Sequence, residues 1–113
     1  MTSFFLIPTF LGQPEQPQNI TVTSHEPMTV HLSWIPGLDG GHPQWFVVRY
    51  REAMSEWTSK TYNLSIDQHM TSLDITGLIP STKYEFEITA QNIRNSSPVV
   101  FVSITTKGTY IKN

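Results

Sequence analysis

Apolar and polar residues alternate along two neighbouring stretches of the chain, and a break that contains glycine and proline separates them. Leu73 and Ile75 alternate with polar residues before the break. After the break the apolar positions are Tyr84, Phe86, Ile88 and Ala90. A period of two on each side of a turn signal predicts two half-buried β-strands. Because no stretch has a long helical period, the pattern favours an all-β fold.

Seven strands are predicted in total, at the spacing typical of a two-sheet sandwich. We number them β1 to β7 and expect them at residues 20–24, 29–34, 45–52, 57–63, 71–76, 83–92 and 99–106. The inward positions of β2 and β3 are Val30, Leu32, Trp34, Phe46, Val48 and Tyr50. A proline-rich segment, residues 13–17, precedes β1 and is expected to serve as a linker.

Composition narrows the class of protein without naming a function. A chain of 113 residues, 38% hydrophobic and 14% charged, is long enough for one core but hardly for two. A net charge of −2 and a pI near 6.0, with scattered cations, make a nucleic-acid partner unexpected. The absence of cysteine fits a reducing compartment, and it fits equally a secreted sandwich that is stable without disulfides.

Several motifs carry a family resemblance. Trp34 closes β2, residues 46–51 of β3 read Phe-Val-Val-Arg-Tyr-Arg, and Ala90-Gln91-Asn92 ends β6. The run from Leu78 to Tyr84 has the Leu-x-Pro-x-Thr-x-Tyr spacing of a tyrosine corner, in which the phenol hydroxyl bonds to backbone upstream. Together these motifs resemble the fibronectin type III domain, a seven-stranded, immunoglobulin-like Greek-key sandwich.

The resemblance covers about Pro17 to Lys107, so residues 1–16 are expected to be an N-terminal segment or linker and 108–113 a C-terminal tail. It implies structural roles for Trp34, Tyr50, Leu78 and Tyr84. The missing cysteines separate the chain from true immunoglobulin domains, which carry a disulfide between their sheets. The chain departs from the family after Asn92, where members often have a glycine-containing turn.

The β2–β3 loop, from Pro36 to Phe46, is similar to that of nephrin-like adhesion receptors of the immunoglobulin superfamily. This resemblance implies a non-catalytic, extracellular protein-interaction or spacer module of a cell-surface protein. Its partners would be proteins and neighbouring immunoglobulin or fibronectin type III domains. Two alternatives stay open: an intracellular scaffold repeat of a giant muscle-type protein, and an accessory domain of a secreted enzyme.

The sequence gives little support for a catalytic or metal-binding site, and no cofactor is expected. His25, His31, His42 and His69 have none of the short paired spacings of metal sites. Asp39 beside two glycines is read as a turn former, since one carboxylate cannot supply the ligands that calcium requires. No serine lies in a nucleophile-elbow motif. We therefore predict no catalytic site.

The outward positions of β3 and β6 form the candidate partner-binding face. Trp45, Val47, Arg49 and Arg51 are predicted to lie outside on β3, opposite Glu85 and Glu87 on β6. Cross-strand ion pairing is the favoured interpretation of these charges. The alternative is a binding surface in which Trp45, Val47 and Phe101 flank the charges. Trp57 is expected to pack on the sheet edge.

Three Asn-x-Ser/Thr sequons, at Asn19, Asn63 and Asn95, favour a secretory route. The first thirteen residues are partly apolar, but the apolar run is too short to span a bilayer and lacks a basic start. Whether they form a signal peptide or mark a fragment boundary stays open. No direct membrane insertion is expected.

Overall fold

The computed structural model describes residues 12–56, the backbone of 61–63, and residues 71–109. Seven strands account for most of this chain: β1 Gln18–Glu26, β2 Thr29–Ile35, β3 Trp45–Glu52, β4 Thr61–Asn63, β5 Ser72–Ile75, β6 Lys83–Gln91 and β7 Val100–Thr105. The sequence predicted all seven. The predicted start of β4 at Trp57 lies outside the described residues.

The strands form two antiparallel sheets that pack face to face. One sheet has the order β1-β2-β5, and the other has the order β4-β3-β6-β7. Because β3 pairs with β6 rather than with its chain neighbour β2, the chain crosses between the sheets as in a Greek key. The predicted sandwich is therefore confirmed.

The core contains the inward residues that the alternation predicted. Val30, Phe46, Val48, Phe86, Ile88 and Ala90 are each 0% exposed. The Trp34 and Phe46 rings meet edge to face with centroids 5.5 Å apart, a favoured aromatic geometry that joins the two sheets. The Tyr50 ring centroid lies 6.0 Å from that of Tyr84 and 5.9 Å from that of Phe86. These inward side chains fill the space between the two sheets, and their packing holds the sheets together.

The tyrosine corner is present as predicted. Tyr84 is 3% exposed, and its hydroxyl oxygen accepts a hydrogen bond of 2.9 Å from the backbone N–H of Ile79. Leu78, also buried, donates its own N–H to the carbonyl of Met28 in the β1–β2 turn at 3.0 Å. The β5–β6 connection is therefore bonded to both sheets.

Tyr84→Phe is expected to lower the free energy of unfolding by about 0.5–1.5 kcal/mol, because the Ile79 N–H loses its protein acceptor in a partly buried site. Phenylalanine keeps the ring and its packing, so the fold should persist. Urea unfolding followed by tryptophan fluorescence measures the difference. An unchanged midpoint and slope would show that the corner bond adds nothing to stability.

Two features at the start of the domain differ from expectation. β1 is longer than predicted and contains register shifts against β2 after Gln18 and after Thr23. Asn19 lies at the first shift with a positive φ of 51°, a conformation that asparagine tolerates better than most residues. Residues 13–17 were expected to be a linker, but backbone bonds from Glu15 to Leu38 and from the preceding Gly12 to Gly40 attach this segment to the domain.

Candidate interaction surfaces

The outer face of the four-stranded sheet is the first candidate surface, and we define it by Trp45, Val47, Arg49, Arg51, Glu85, Glu87 and Phe101. The register aligns Arg49, Glu87 and Phe101 in one row across β3, β6 and β7. Arg51, Glu85 and Ser103 form the next row. Side chains of directly paired residues share a face of a sheet. The structure thus brings together all six predicted residues, with Phe101 beside them.

Both arginines of this face are bonded to glutamates across the strands. Arg49 Nε donates to Glu87 Oε1 at 2.5 Å, and Arg51 Nε donates to Glu85 Oε1 at 2.7 Å. Arg51 also donates through Nη1 to the carbonyl of Ser55 at 2.9 Å. Pairs of this kind contribute about 0.2–1 kcal/mol each, so the ladder supports the sheet modestly. The face therefore presents paired charges rather than a field of one sign.

The apolar part of the outer face flanks this ladder. Trp45 and Val47 are partly exposed on β3, and Phe101 is 51% exposed on β7. Large aromatic side chains beside arginines are the composition that interface hot spots favour. The face therefore offers two aromatic anchors next to a neutral, hydrogen-bonded polar strip.

The second candidate surface is the loop end, which we define as the β2–β3 loop, residues 36–44, together with the β6–β7 loop, residues 92–99. Asn92 is 5% exposed and joins the two loops. Its Nδ2 donates to the carbonyl of Asp39 at 2.8 Å, while its Oδ1 accepts from the N–H groups of Arg94 and Asn95. The side chain of Asn92 thus supplies the turn that a glycine often makes in the family.

The N-terminal segment completes the loop end. Glu15 Oε1 accepts from the N–H of Leu38 at 2.9 Å, and the side-chain amides of Gln13 and Gln16 donate to the carbonyls of Ser96 and Val99. A shallow groove of about 480 Å³ runs between this segment and Pro98. These bonds hold the loop end together, and it exposes three large apolar side chains: Leu38 at 60%, Ile93 at 76% and Val99 at 46%.

The outer face of the other sheet contains a contact that sequence spacing did not reveal. His31 Nδ1 and Asp74 Oδ1 are 2.6 Å apart across β2 and β5, and the His25 ring lies 6.3 Å from the His31 ring. The β2–β5 register pairs His31 with Asp74, a relationship that only strand pairing could have shown. His69 lies outside the described residues.

Neither a metal-binding cluster nor a membrane-spanning helix is formed by the residues that the structure describes. Among these residues, no three His, Cys, Asp or Glu side chains are placed to hold a metal ion. The described residues also form no helix with the length and apolarity needed to cross a bilayer.

The three sequons occupy different environments. Asn19 and Thr21 are both exposed on β1, which is an edge strand. Asn95 is exposed, but Ser97 of the same sequon is 6% exposed, and its hydroxyl accepts from the Ala90 N–H and donates to the Pro98 carbonyl. The backbone of Asn63 pairs with Val47 of β3, while Leu64 and Ser65 lie outside the described residues.

The geometry of the two sheets and of the tyrosine corner defines the class of protein. A two-sheet antiparallel sandwich without cysteine, closed by a tyrosine corner, belongs to the immunoglobulin-like β-sandwiches. The family model described as "Fibronectin type III domain" matches residues 15–103. The chain therefore belongs to the fibronectin type III family.

Similar proteins include adhesion proteins of the cell surface. Nephrin of Mus musculus is 38% identical over 102 residues, which are 87% of this chain and 8% of nephrin. Protein sidekick-1 of Gallus gallus is 35% identical over 82 residues, 70% of this chain and 4% of that protein. The chain thus spans less than a tenth of the length of either relative.

Solved structures of other proteins have the same fold as this chain. The fn3 domain of the human collagen alpha-1(XX) chain superposes with a TM-score of 0.73 at 19% identity. The alignment covers 89% of this chain and 92% of that one. At this identity the likeness supports the sandwich alone.

Proposed function

We propose that this chain is a non-catalytic, extracellular protein-interaction or spacer module of a cell-surface adhesion protein or receptor. The observation that carries the proposal is the similarity to nephrin, at 38% identity over 87% of the chain. Homology to sidekick-1 and Brother of CDO points in the same direction. Because the chain matches only a small share of each, its partners are proposed from its own surfaces.

The outer face of the four-stranded sheet is the surface we assign to a protein partner. Trp45 and Phe101 supply area that a partner can bury, and the Arg49–Glu87 and Arg51–Glu85 pairs supply hydrogen-bonding groups between them. Since each arginine already bonds a glutamate, a partner would meet little net charge. Binding would therefore depend on shape and aromatic contact, with weak dependence on salt.

The loop end is the surface that we assign to spacing. Asn92, Glu15 and Gln13 bond the two loops and the N-terminal segment to one another, so the point where the chain enters the domain is fixed relative to the sheets. Residues 12–17 would add no free length to a connection with a preceding domain, because they are bonded to this end. The module would thereby set the distance between its neighbours.

Asn19, Asn63 and Asn95 are proposed as carriers of N-linked glycans. Asn19 is favoured by the exposure of both Asn19 and Thr21. At Asn95 the buried Ser97 hydroxyl is already bonded in the folded domain, so attachment there would have to precede folding.

A bead-binding assay tests the interaction role. The chain is displayed in many copies on beads, and binding of the beads to cells that carry surface proteins is measured. The double variant Trp45→Ala/Phe101→Ala is expected to reduce saturable, protease-sensitive binding by at least about tenfold, as loss of hot-spot aromatics does. Met28→Ala/Ile79→Ala is the matched control, since both residues are about half exposed at the opposite end from the loop end. Equal binding by both variants would remove the outer face as the contact surface.

A further inference from the structure

Asn95 and Ser96 of the β6–β7 loop are placed so that the backbone of one can react with the side chain of the other. The amide carbon of an asparagine side chain can be attacked by the backbone nitrogen of the next residue, which closes a five-membered succinimide ring. The Ser96 N–H donates to Asn95 Oδ1 at 3.2 Å. The attacking nitrogen is therefore held beside the carbonyl group that it would attack, which lowers the entropic cost of ring closure.

The backbone pairing of the β6–β7 loop does not use the Ser96 N–H. The loop closes on an antiparallel bridge between Gln91 and Ser96. The hydrogen bonds of this bridge join the residues on either side of the pair, such as the Ser97 N–H and the Ala90 carbonyl at 2.8 Å. Gln91 and Ser96 are thus a non-hydrogen-bonded pair, and their own N–H groups point away from each other. Attack by the Ser96 nitrogen therefore breaks no backbone bond of the bridge.

Solvent reaches both reacting groups. Asn95 and Ser96 are exposed. Exposure is required twice, because a base from solvent must remove the N–H proton and water must later open the ring. The short side chain of Ser96 also leaves the approach to its own nitrogen uncrowded. The dipeptide therefore combines proximity, access and little steric hindrance.

The other asparagine side chains that the structure describes lack this combination. Asn19 and Asn92 are followed by Ile20 and Ile93, whose β-branched side chains crowd the nitrogen that would attack. Asn92 is also only 5% exposed, and both ends of its amide are hydrogen-bonded. Among the described asparagine side chains, Asn95 is thus the one with an exposed amide and a small residue after it.

We propose that Asn95 is a site of spontaneous deamidation, at which the folded chain converts Asn95 to aspartate and isoaspartate through a succinimide. The Ser96 nitrogen loses its proton to solvent hydroxide and forms a bond to Asn95 Cγ, while the Cγ–Nδ2 bond breaks and Nδ2 leaves as ammonia. Water then adds to one of the two ring carbonyl carbons. Cleavage of the bond from Cγ to the Ser96 nitrogen gives aspartate, and cleavage of the bond from the backbone carbonyl carbon to that nitrogen gives isoaspartate.

Either product changes the loop end. Both add one negative charge to a chain whose net charge is −2. The Asn92 N–H donates to the Asn95 carbonyl at 3.0 Å, and Asn92 Oδ1 accepts from the Asn95 N–H at 2.8 Å. In isoaspartate that carbonyl becomes a free carboxylate and the backbone continues through Cγ, one carbon longer. Deamidation therefore loosens the contact between residue 95 and Asn92 that closes the β6–β7 loop.

Deamidation and glycosylation of Asn95 exclude one another, because both use Nδ2. A glycan would be bonded to this nitrogen, which is the leaving group in succinimide formation. Since the Ser97 hydroxyl is already bonded in the folded domain, a chain that folds without this glycan keeps its Asn95 amide unmodified and able to deamidate. The deamidation proposal does not depend on the proposed extracellular role.

Incubation of the full, folded chain without glycans, at mildly alkaline pH in water enriched in heavy oxygen, tests the proposal. Peptide mass mapping follows the uptake of heavy oxygen at each asparagine, and an isoaspartate-specific methyltransferase detects the second product. We expect Asn95 to convert at least about tenfold faster than Asn19 or Asn92. In the converted chain the Asn92 N–H is expected to exchange faster with solvent, because its acceptor is lost or moved.

Ser96→Val and Ser96→Ala are the matched pair of variants. Both keep the N–H, but valine crowds it, so Ser96→Val is expected to slow conversion at least about tenfold relative to Ser96→Ala. Because residue 96 is exposed, both variants should fold, and urea unfolding checks this.

Three results would overturn the proposal. The first is conversion of Asn95 that is absent from the folded chain or no faster than that of Asn19 and Asn92. The second is conversion that occurs only after unfolding in urea, because the folded loop would then prevent the reaction. The third is an equal rate for Ser96→Val and Ser96→Ala, because the Ser96 nitrogen would then not be the attacking group.

Discussion

Phe86→Ala is expected to lower the free energy of unfolding by about 3–5 kcal/mol, the usual cost of truncating a buried phenylalanine. Phe86 is 0% exposed and its ring centroid lies 5.9 Å from that of Tyr50. The truncation leaves a cavity between the sheets, and Tyr50 also loses the Phe86 ring as a neighbour. Since the free energy of unfolding of small domains is only about 5–15 kcal/mol, this single change would remove a large part of the domain's stability.

Urea unfolding at low temperature, followed by tryptophan fluorescence, measures the effect of Phe86→Ala. Phe86→Leu is the graded control, because it keeps most of the apolar volume and should cost clearly less. Phe101→Ala is the positional control, since that ring is 51% exposed on the opposite side of the same sheet. Equal losses for Phe86→Ala and Phe101→Ala would contradict the assignment of inward and outward faces.

Gly40→Ala is expected to lower the free energy of unfolding by about 2–4 kcal/mol, from two physical causes. Gly40 has a φ of +74°, where a side chain adds strain. A β-carbon there would also lie 2.7 Å from the carbonyl carbon and oxygen of Gln13, too close for backbone to accommodate without movement. The N-terminal segment would have to shift, and with it the bond from the Gly12 N–H to the Gly40 carbonyl.

Gly41→Ala is the matched control for this contact. Gly41 also has a positive φ, of +97°, but an added β-carbon would meet nothing within 4 Å. Gly41→Ala should therefore lower the free energy of unfolding by the backbone strain alone, about 1–2 kcal/mol. Hydrogen exchange at Glu15, whose N–H bonds the Leu38 carbonyl, reports whether the segment is released in Gly40→Ala. Identical behaviour of the two variants would mean that residues 12–17 do not pack against Gly40.

The strands were predictable because the alternation of apolar and polar residues has a direct geometric cause. In β3 the sequence placed Phe46, Val48 and Tyr50 inside, and the structure buries all three. The tyrosine corner was predictable from its local spacing, and the bond from Ile79 to Tyr84 confirms it. The pairing of Arg49 with Glu87 followed once β3 and β6 were taken as neighbours.

The loop end was not predictable, because its bonds join residues far apart in the chain. Gln13 and Ser96, or Asn92 and Asp39, share no local pattern that periodicity can detect. The same holds for His31 and Asp74, which meet only through the β2–β5 register. The extra length of β1 was missed because the register shifts interrupt the simple alternation on which the prediction depended.

The most direct test of the proposed extracellular location uses intact cells that make the protein. The cells are labelled with a reagent that cannot cross membranes, and the protein is then analysed by peptide mass mapping. We expect surface labelling, and a mass change on enzymatic removal of N-linked glycans in the peptides that contain Asn19, Asn63 or Asn95. An unlabelled protein, folded in the cytosol and unmodified at all three asparagines, would contradict the proposed function and favour the intracellular scaffold.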